Sequence, residues 1–206
     1  MGSEMCIRDR STLFGLGTFS GGQVFLDGKA YAPGSPAEAI AAAVVMAAED
    51  RHRSSFIHAD WPGESIAATI SLPHLKKWYP SGFLLSNREK EEGRKAIQRL
   101  SIKAQSADAS VWSLSGGNQQ KVVIGRWEAE PSRLLLLDEP FQGVDVGARQ
   151  DIIAAIRRHS GRATLIATSD PEEAHEVADR VFVMDGHTLL EQTNDAGTPH
   201  LHKEPA

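Results

Sequence analysis

The stretch Leu134-Leu135-Leu136-Leu137-Asp138-Glu139-Pro140 decides the fold. An unbroken leucine run with no polar alternation suits a strand covered on both faces, as in a parallel sheet flanked by helices. Ligands of parallel sheets sit at the carboxyl ends of the strands, and at that end this run delivers two adjacent carboxylates. Asp138 there can hold Mg2+ through a water shell, and Glu139 can orient a water toward a phosphoryl group. Taken alone, the pair also fits a solvated acidic turn closed by Pro140.

Working outward, residues 164–167 and 181–184 read as further strands. Between them Asp170-Pro171-Glu172-Glu173 supplies a cap, a first-turn proline and early negative charge, which predicts a helix from 171 to about 179. Asp185-Gly186 between two β-like runs predicts a closing hairpin. On the other side, Val44-Val45-Met46 reads as a buried strand fed by an Ala-rich helix with Ser35 as N-cap and Pro36 at its first position. Val24-Phe25-Leu26 followed by Asp27-Gly28 predicts a short hairpin. From 61 to 127 helical segments broken by Pro73, Pro80 and Gly82 predict a helical subdomain.

Composition bounds the function. The chain has 206 residues, enough for one domain with a subdomain, and its 41% hydrophobic and 24% charged content is that of a globular protein. A net charge of -5 offers no basic footprint for nucleic acid. The single cysteine, Cys6, rules out an intrachain disulfide, and the apolar stretch 39–48 is too short to span a bilayer. The opening MGSEMCIRDR has no apolar periodicity, so residues 1–10 read as a non-native leader.

A second informative segment is Leu114-Ser115-Gly116-Gly117-Asn118-Gln119-Gln120-Lys121, a glycine pair leading into a helix. Free N–H groups at a helix start, the positive end of its dipole, two glycines and a serine hydroxyl together suit a phosphate. A Ser-capped helix after a glycine turn is the plain alternative.

In this order and spacing the two segments resemble the signature and Walker B motifs of the ATP-binding cassette (ABC) family. The longer strings LSGGNQQKVVIGRW, from 114, and LLLLDEPFQGVDVGAR, from 134, are similar to those of ribose, galactose and xylose importer ATPases, which fuse two cassettes in one polypeptide. Ala48-Glu49-Asp50-Arg51 resembles the Q-loop position of their second, C-terminal cassette. The likeness covers roughly residues 11–192. It implies an α/β P-loop NTPase core with a helical subdomain and a small antiparallel β piece, incomplete at the N-terminus. The implied organisation is a partial core at 11–60, the subdomain with the signature at 61–127, core with Walker B and D-loop at 128–192, and a disordered tail at 193–206.

The resemblance also implies roles. Glu139 would be catalytic, and Asp138 and Glu49 would face Mg2+. ATP would be contacted by Ser115, Gly116, Gly117, Asn118 and Gln119, and by Ser11, Thr12, Asp145 and Ser169. Gly143, Val144 and Asp145 match the D-loop. The implied partners are a second cassette, transmembrane permease subunits and, indirectly, a sugar-binding protein, at the cytoplasmic face of the membrane. An ABC-type ATPase of DNA repair or translation is a rival, opposed by the acidic charge and the Asn-Gln-Gln-Lys extension.

Three departures stand out. The Walker A loop is represented only by Arg10-Ser11-Thr12, with no glycine-rich cradle before it and Arg10 assigned to the leader. Without that loop the chain alone is expected to be inactive. Ser169 stands where active cassettes carry a histidine, and a hydroxyl cannot become an imidazolium. Phe141 replaces a usual Thr or Ser. These departures leave open a half that binds without hydrolysing. Elsewhere, the eight histidines show no metal-ligand spacing and read as solvated, the four tryptophans read as packing anchors, and the charged run 88–99 as a solvated helix face with pairs such as Glu91 and Lys95.

Overall fold

The structure, a computed structural model, describes residues 10–61, 63–82, 86–185 and 188–192. Its centre is a parallel sheet of β3 (Val44–Ala47), β4 (Leu134–Asp138) and β5 (Ala163–Ala167), with β4 in the middle. Register is continuous, from Val44 opposite Leu134 to Asp138 opposite Ala167. Successive side chains of a strand point to opposite faces, and the leucine run shows what each face meets. Leu135 and Leu137 enter the large core with the helices, whereas Leu136 joins Ala39 and Val44 in a second cluster on the other side. Each fully buried leucine contributes about 1.5–3 kcal/mol.

The second cluster is closed by a hairpin and a short helix. β1 (Phe25–Leu26) and β2 (Lys29–Ala30) pair across Asp27 and Gly28, both with positive φ as a two-residue turn demands. In α1 (Pro36–Ala41) the Ser35 hydroxyl accepts from the Glu38 N–H, and the Glu38 carboxylate accepts from the Gly34 N–H at 2.8 Å. The helix stops where Ala43 turns left-handed, φ 62°, and the chain enters β3.

The helical region comprises α2 (Arg51–Ser54), α3 (Ile66–Ser71), α4 (Leu75–Trp78), α5 (Ser86–Arg99) and α6 (Gly116–Glu128). Helix α6 packs against α3, α5 and β3, and also against α7 (Val146–Arg157), which returns the chain from β4 to β5. After β5 come α8 (Pro171–Val177), capped by Asp170, and the hairpin of β6 (Val181–Asp185) and β7 (Thr188–Gln192). The register of β6 and β7 bears out the expected hairpin, although Gly186 itself, the leader to residue 9 and the tail from 193 lie outside the described residues. Among the described residues β6 pairs with β7 and not with the parallel sheet, and no helix is long and apolar enough to cross a membrane.

Several expectations are corrected. His74 is not solvated: it is buried, its Nε2 lies 2.8 Å from the Arg126 carbonyl, and its ring stacks on Trp78 and meets Trp127 edge-on. His159 is half-buried against Glu128, whereas His52 is exposed as expected and stacks on Trp112. Trp78 and Trp127 anchor the core as expected, but Trp61 is 67% exposed. The charged face of α5 carries Glu91–Arg94 and Glu92–Lys95 pairs in place of Glu91–Lys95.

Burial of His74 disfavours its imidazolium and holds its pKa below the ordinary 6.5, although the Arg126 carbonyl and Glu130 pull the other way. The unfolded chain therefore takes up the proton first as the pH falls. The stabilisation is complete above pH 6.5 and is lost as the pH falls through the folded value. Urea midpoints at about pH 7.5 and 5.5 should fall more for the native chain than for His74→Phe; equal falls would exclude His74 as the source.

Candidate functional site

Helix α6 begins at Ser115, whose extended backbone makes it the N-cap, with its carbonyl accepting from the Gln119 N–H at 2.9 Å. The Ser115 side chain is exposed and does not cap the backbone; its Oγ accepts from the Asn118 amide at 2.8 Å. The two glycines are dictated by close approach. A Cβ on Gly116 would lie 2.8 Å from the Gly143 carbonyl oxygen, and one on Gly117 would lie 2.6 Å from the Ala148 Cβ and 3.1 Å from Asp145 Oδ2. The glycine turn thus rests directly on the loop that follows Glu139. Asp145 caps α7 by accepting from the Ala148 N–H, a bond that holds its carboxyl below the usual carboxylate range.

At the other end of that loop, β4 delivers Asp138 at the carboxyl edge of the sheet. Asp138 is buried and pairs with Arg10 at 2.7 Å. Burial raises its pKa, against the opposing pull of Arg10 and, more weakly, of the Glu49 backbone. The Glu49 side chain is exposed beside them. Glu139 adopts a left-handed backbone, φ 44°, with its N–H donating to Ala167 at 2.9 Å. Its Oε1 accepts from the Ser169 N–H at 2.7 Å and its Oε2 lies 3.2 Å from the Thr168 hydroxyl. Thr168 also donates to Glu173 at 2.8 Å.

The residues inferred from sequence therefore fall into two groups joined by residues 140–145. Ser115, Gly116, Gly117 and Asp145 form one; Asp138, Glu139, Glu49 and the exposed Ser169 form the other. Ser11 and Thr12 follow Arg10 in a helical turn at 10–13, with Thr12 buried. Asn118 and Gln119 are both buried, and their side-chain amides serve the protein. Asn118 accepts from the Lys103 N–H and donates to Ser115, while Gln119 donates to the Val111 carbonyl and accepts from Arg51 and His52. Arg10, set aside with the leader, proves to be buried against Asp138. The only sequence signal for it was its place before Ser11-Thr12; Thr168 carried none, and Arg51 was quoted only as the last residue of the Glu-Asp-Arg string.

Among the described residues no group of three or more His, Cys, Asp or Glu side chains forms a metal cage.

A parallel α/β core, an acidic pair at its ligand edge and a glycine-lined helix start define a nucleotide-binding cassette by class. Residues 11–142 match the family model described as ABC transporter, and the chain belongs to that family. It resembles the arabinose import ATP-binding protein AraG of Pectobacterium atrosepticum, 39% identical over 175 residues, covering 84% of this chain and 34% of that protein. It is equally similar to the ribose import ATP-binding protein RbsA of Chelativorans sp., 39% identical over 174 residues with the same two coverages. The chain thus spans about a third of the length of the curated relatives it matches. The fold is that of solved ABC cassettes. A nucleotide-free ATP-binding cassette superposes with TM-score 0.71 at 18% identity, covering 92% of this chain and 74% of that one. The cbiO1 protein of Clostridium perfringens gives 0.69 at 20%, covering 92% and 72%.

Gly117→Ala gains helix propensity but forces α6 away from Ala148, and overpacking of this kind costs about 1–3 kcal/mol. The urea midpoint should fall; a rise would mean that propensity outweighs the clash.

Proposed function

We propose that this chain is the second cassette of a sugar-import ATPase, and that it lends Ser115, Gly116 and Gly117 to ATP held by a partner cassette. The observation that carries the reading is the exposed Ser115 hydroxyl at a glycine-lined helix start seated on the loop after Glu139. The Ser115 hydroxyl and the free N–H groups of the first turn of α6 donate to anionic oxygens, aided by the positive end of the helix dipole. Glu139, oriented by the Ser169 N–H, takes the part of the residue that positions the attacking water, while Asp138 and Glu49 lie where Mg2+ would be held through its water shell. Bound ATP would supply the γ-phosphoryl group, and Mg2+ held by these carboxylates would supply charge neutralisation to it.

The names of the relatives support carbohydrate as the cargo class, with permease subunits, a second cassette and a sugar-binding protein as partners at the cytoplasmic face of the membrane. Ser169 favours a specific version of this reading. Without an imidazole there, the cassette's own Walker side hydrolyses weakly or serves only as a binding and allosteric half.

The test uses the full-length protein assembled with its permease. Gly116→Asp sets a negative charge at the glycine start and crowds the Gly143 carbonyl, and should cut transport-coupled ATPase at least about a hundredfold, the scale of a lost transition-state contact. Ser169→His should change it by less than about twofold. Equal losses from Glu139→Gln and from the matching change in the partner cassette would overturn the asymmetry. Undiminished activity in Gly116→Asp would overturn the reading itself.

A further inference from the structure

Arg51 lies at a junction that the roles above leave unexplained. Its backbone is fixed as the first residue of α2, two residues past Glu49, whose carbonyl accepts the Arg51 N–H at 3.0 Å. Its side chain leaves α2 and reaches both halves of the glycine contact. The Nε–H donates to Gln119 Oε1 on α6 and the Nη1–H to the Gln142 carbonyl, each at 3.4 Å. Nη2 lies 3.0 Å from where a Gly116 Cβ would stand and 3.9 Å from the corresponding point on Gly143. The far end of Gln119 is held as well, since its amide donates to the Val111 carbonyl at 3.1 Å. One guanidinium therefore faces the start of α6 and the loop 142–145 at the point where they touch.

We propose that Arg51 is a positioning residue that clamps the Ser115–Gly117 turn to the Gly143–Asp145 loop and ties both to the segment carrying Glu49. The chemistry requires arginine. A rigid planar fork presents donors along two edges at once, so acceptors on two different elements are held in fixed relation, whereas a lysine ammonium is a single mobile point. His52 cannot replace it, because its hydrogen bond at 2.9 Å goes to Gln119 and its ring packs on Trp112 and Phe56, not on the loop 142–145. A displacement of Glu49 would move the turn and the loop as one piece. The functional meaning of that coupling rests on the reading of Ser115–Gly117 as nucleotide contacts; the clamp itself does not.

Amide hydrogen exchange on this chain tests it without any nucleotide. In Arg51→Ala, segments 115–119 and 141–145 should both exchange about tenfold faster, the scale set by losing hydrogen bonds from a charged group, while α5 stays at its native rate. Arg51→Lys should fail to restore both segments, and His52→Ala should accelerate 115–119 only. Should Arg51→Ala loosen the whole chain, Arg51→Lys decides, by accelerating the two segments and sparing α5. Native rates in both segments of Arg51→Lys, or acceleration of only one in Arg51→Ala, would overturn the clamp. A normal ATPase in Gly116→Asp would instead remove the nucleotide reading and leave the exchange result standing.

Discussion

Helix α6 is buried on every side, and the rest of the structure is arranged to satisfy it. From Gly117 to Glu128 each residue is buried, yet many of them are polar. A buried polar group left without a partner costs about 1–3 kcal/mol, and the charged side chains of α6 are each answered by something specific, whereas the Trp127 Nε1–H is not. Arg126 donates to the carbonyls of Thr69 and Ser55 and stays charged, its pKa brought down by burial to about 10. Lys121 reaches the Ser101 carbonyl and Asp151, and Glu128 receives Arg99. These bonds fix the helix to α3, α5 and α7 at once, and so fix where its glycine start emerges.

The sheet does for the carboxylates what α6 does for the glycines. Leucines packed on both faces leave β4 no freedom to shift register, because a slip by one residue would exchange the two clusters. Asp138 and Glu139 are thereby delivered at the edge with a fixed orientation. The six residues from Pro140 to Asp145 are then the whole distance between the acidic end of the strand and the surface against which α6 begins.

Much of this was legible in sequence because it rests on local chemistry. The leucine run, the Ser35 and Asp170 caps and the Asp27-Gly28 turn each state their structure within a few residues. What could not be read depends on contacts between distant segments. A helix buried all round has no polar face to reveal it, so Asn118 and Gln119 looked available when their amides were committed inside the protein. A solitary His74 carries no periodicity, and only the tryptophans around it explain its burial. Arg10 sat beside residues with no pattern, and its pairing with Asp138 spans the chain. Strand order is likewise invisible locally: the sequence announced 181–184 as a strand but not that it pairs with β7 and stands apart from the parallel sheet.

The left-handed backbone of Glu139 has a wider consequence. That conformation costs a non-glycine residue about 1–2 kcal/mol, and glycine would relieve it at once. Glycine, which carries no carboxylate, would therefore relax the backbone here while losing the bonds to the Ser169 N–H and the Thr168 hydroxyl. Backbone ease and side-chain bonding thus pull in opposite directions at this one position.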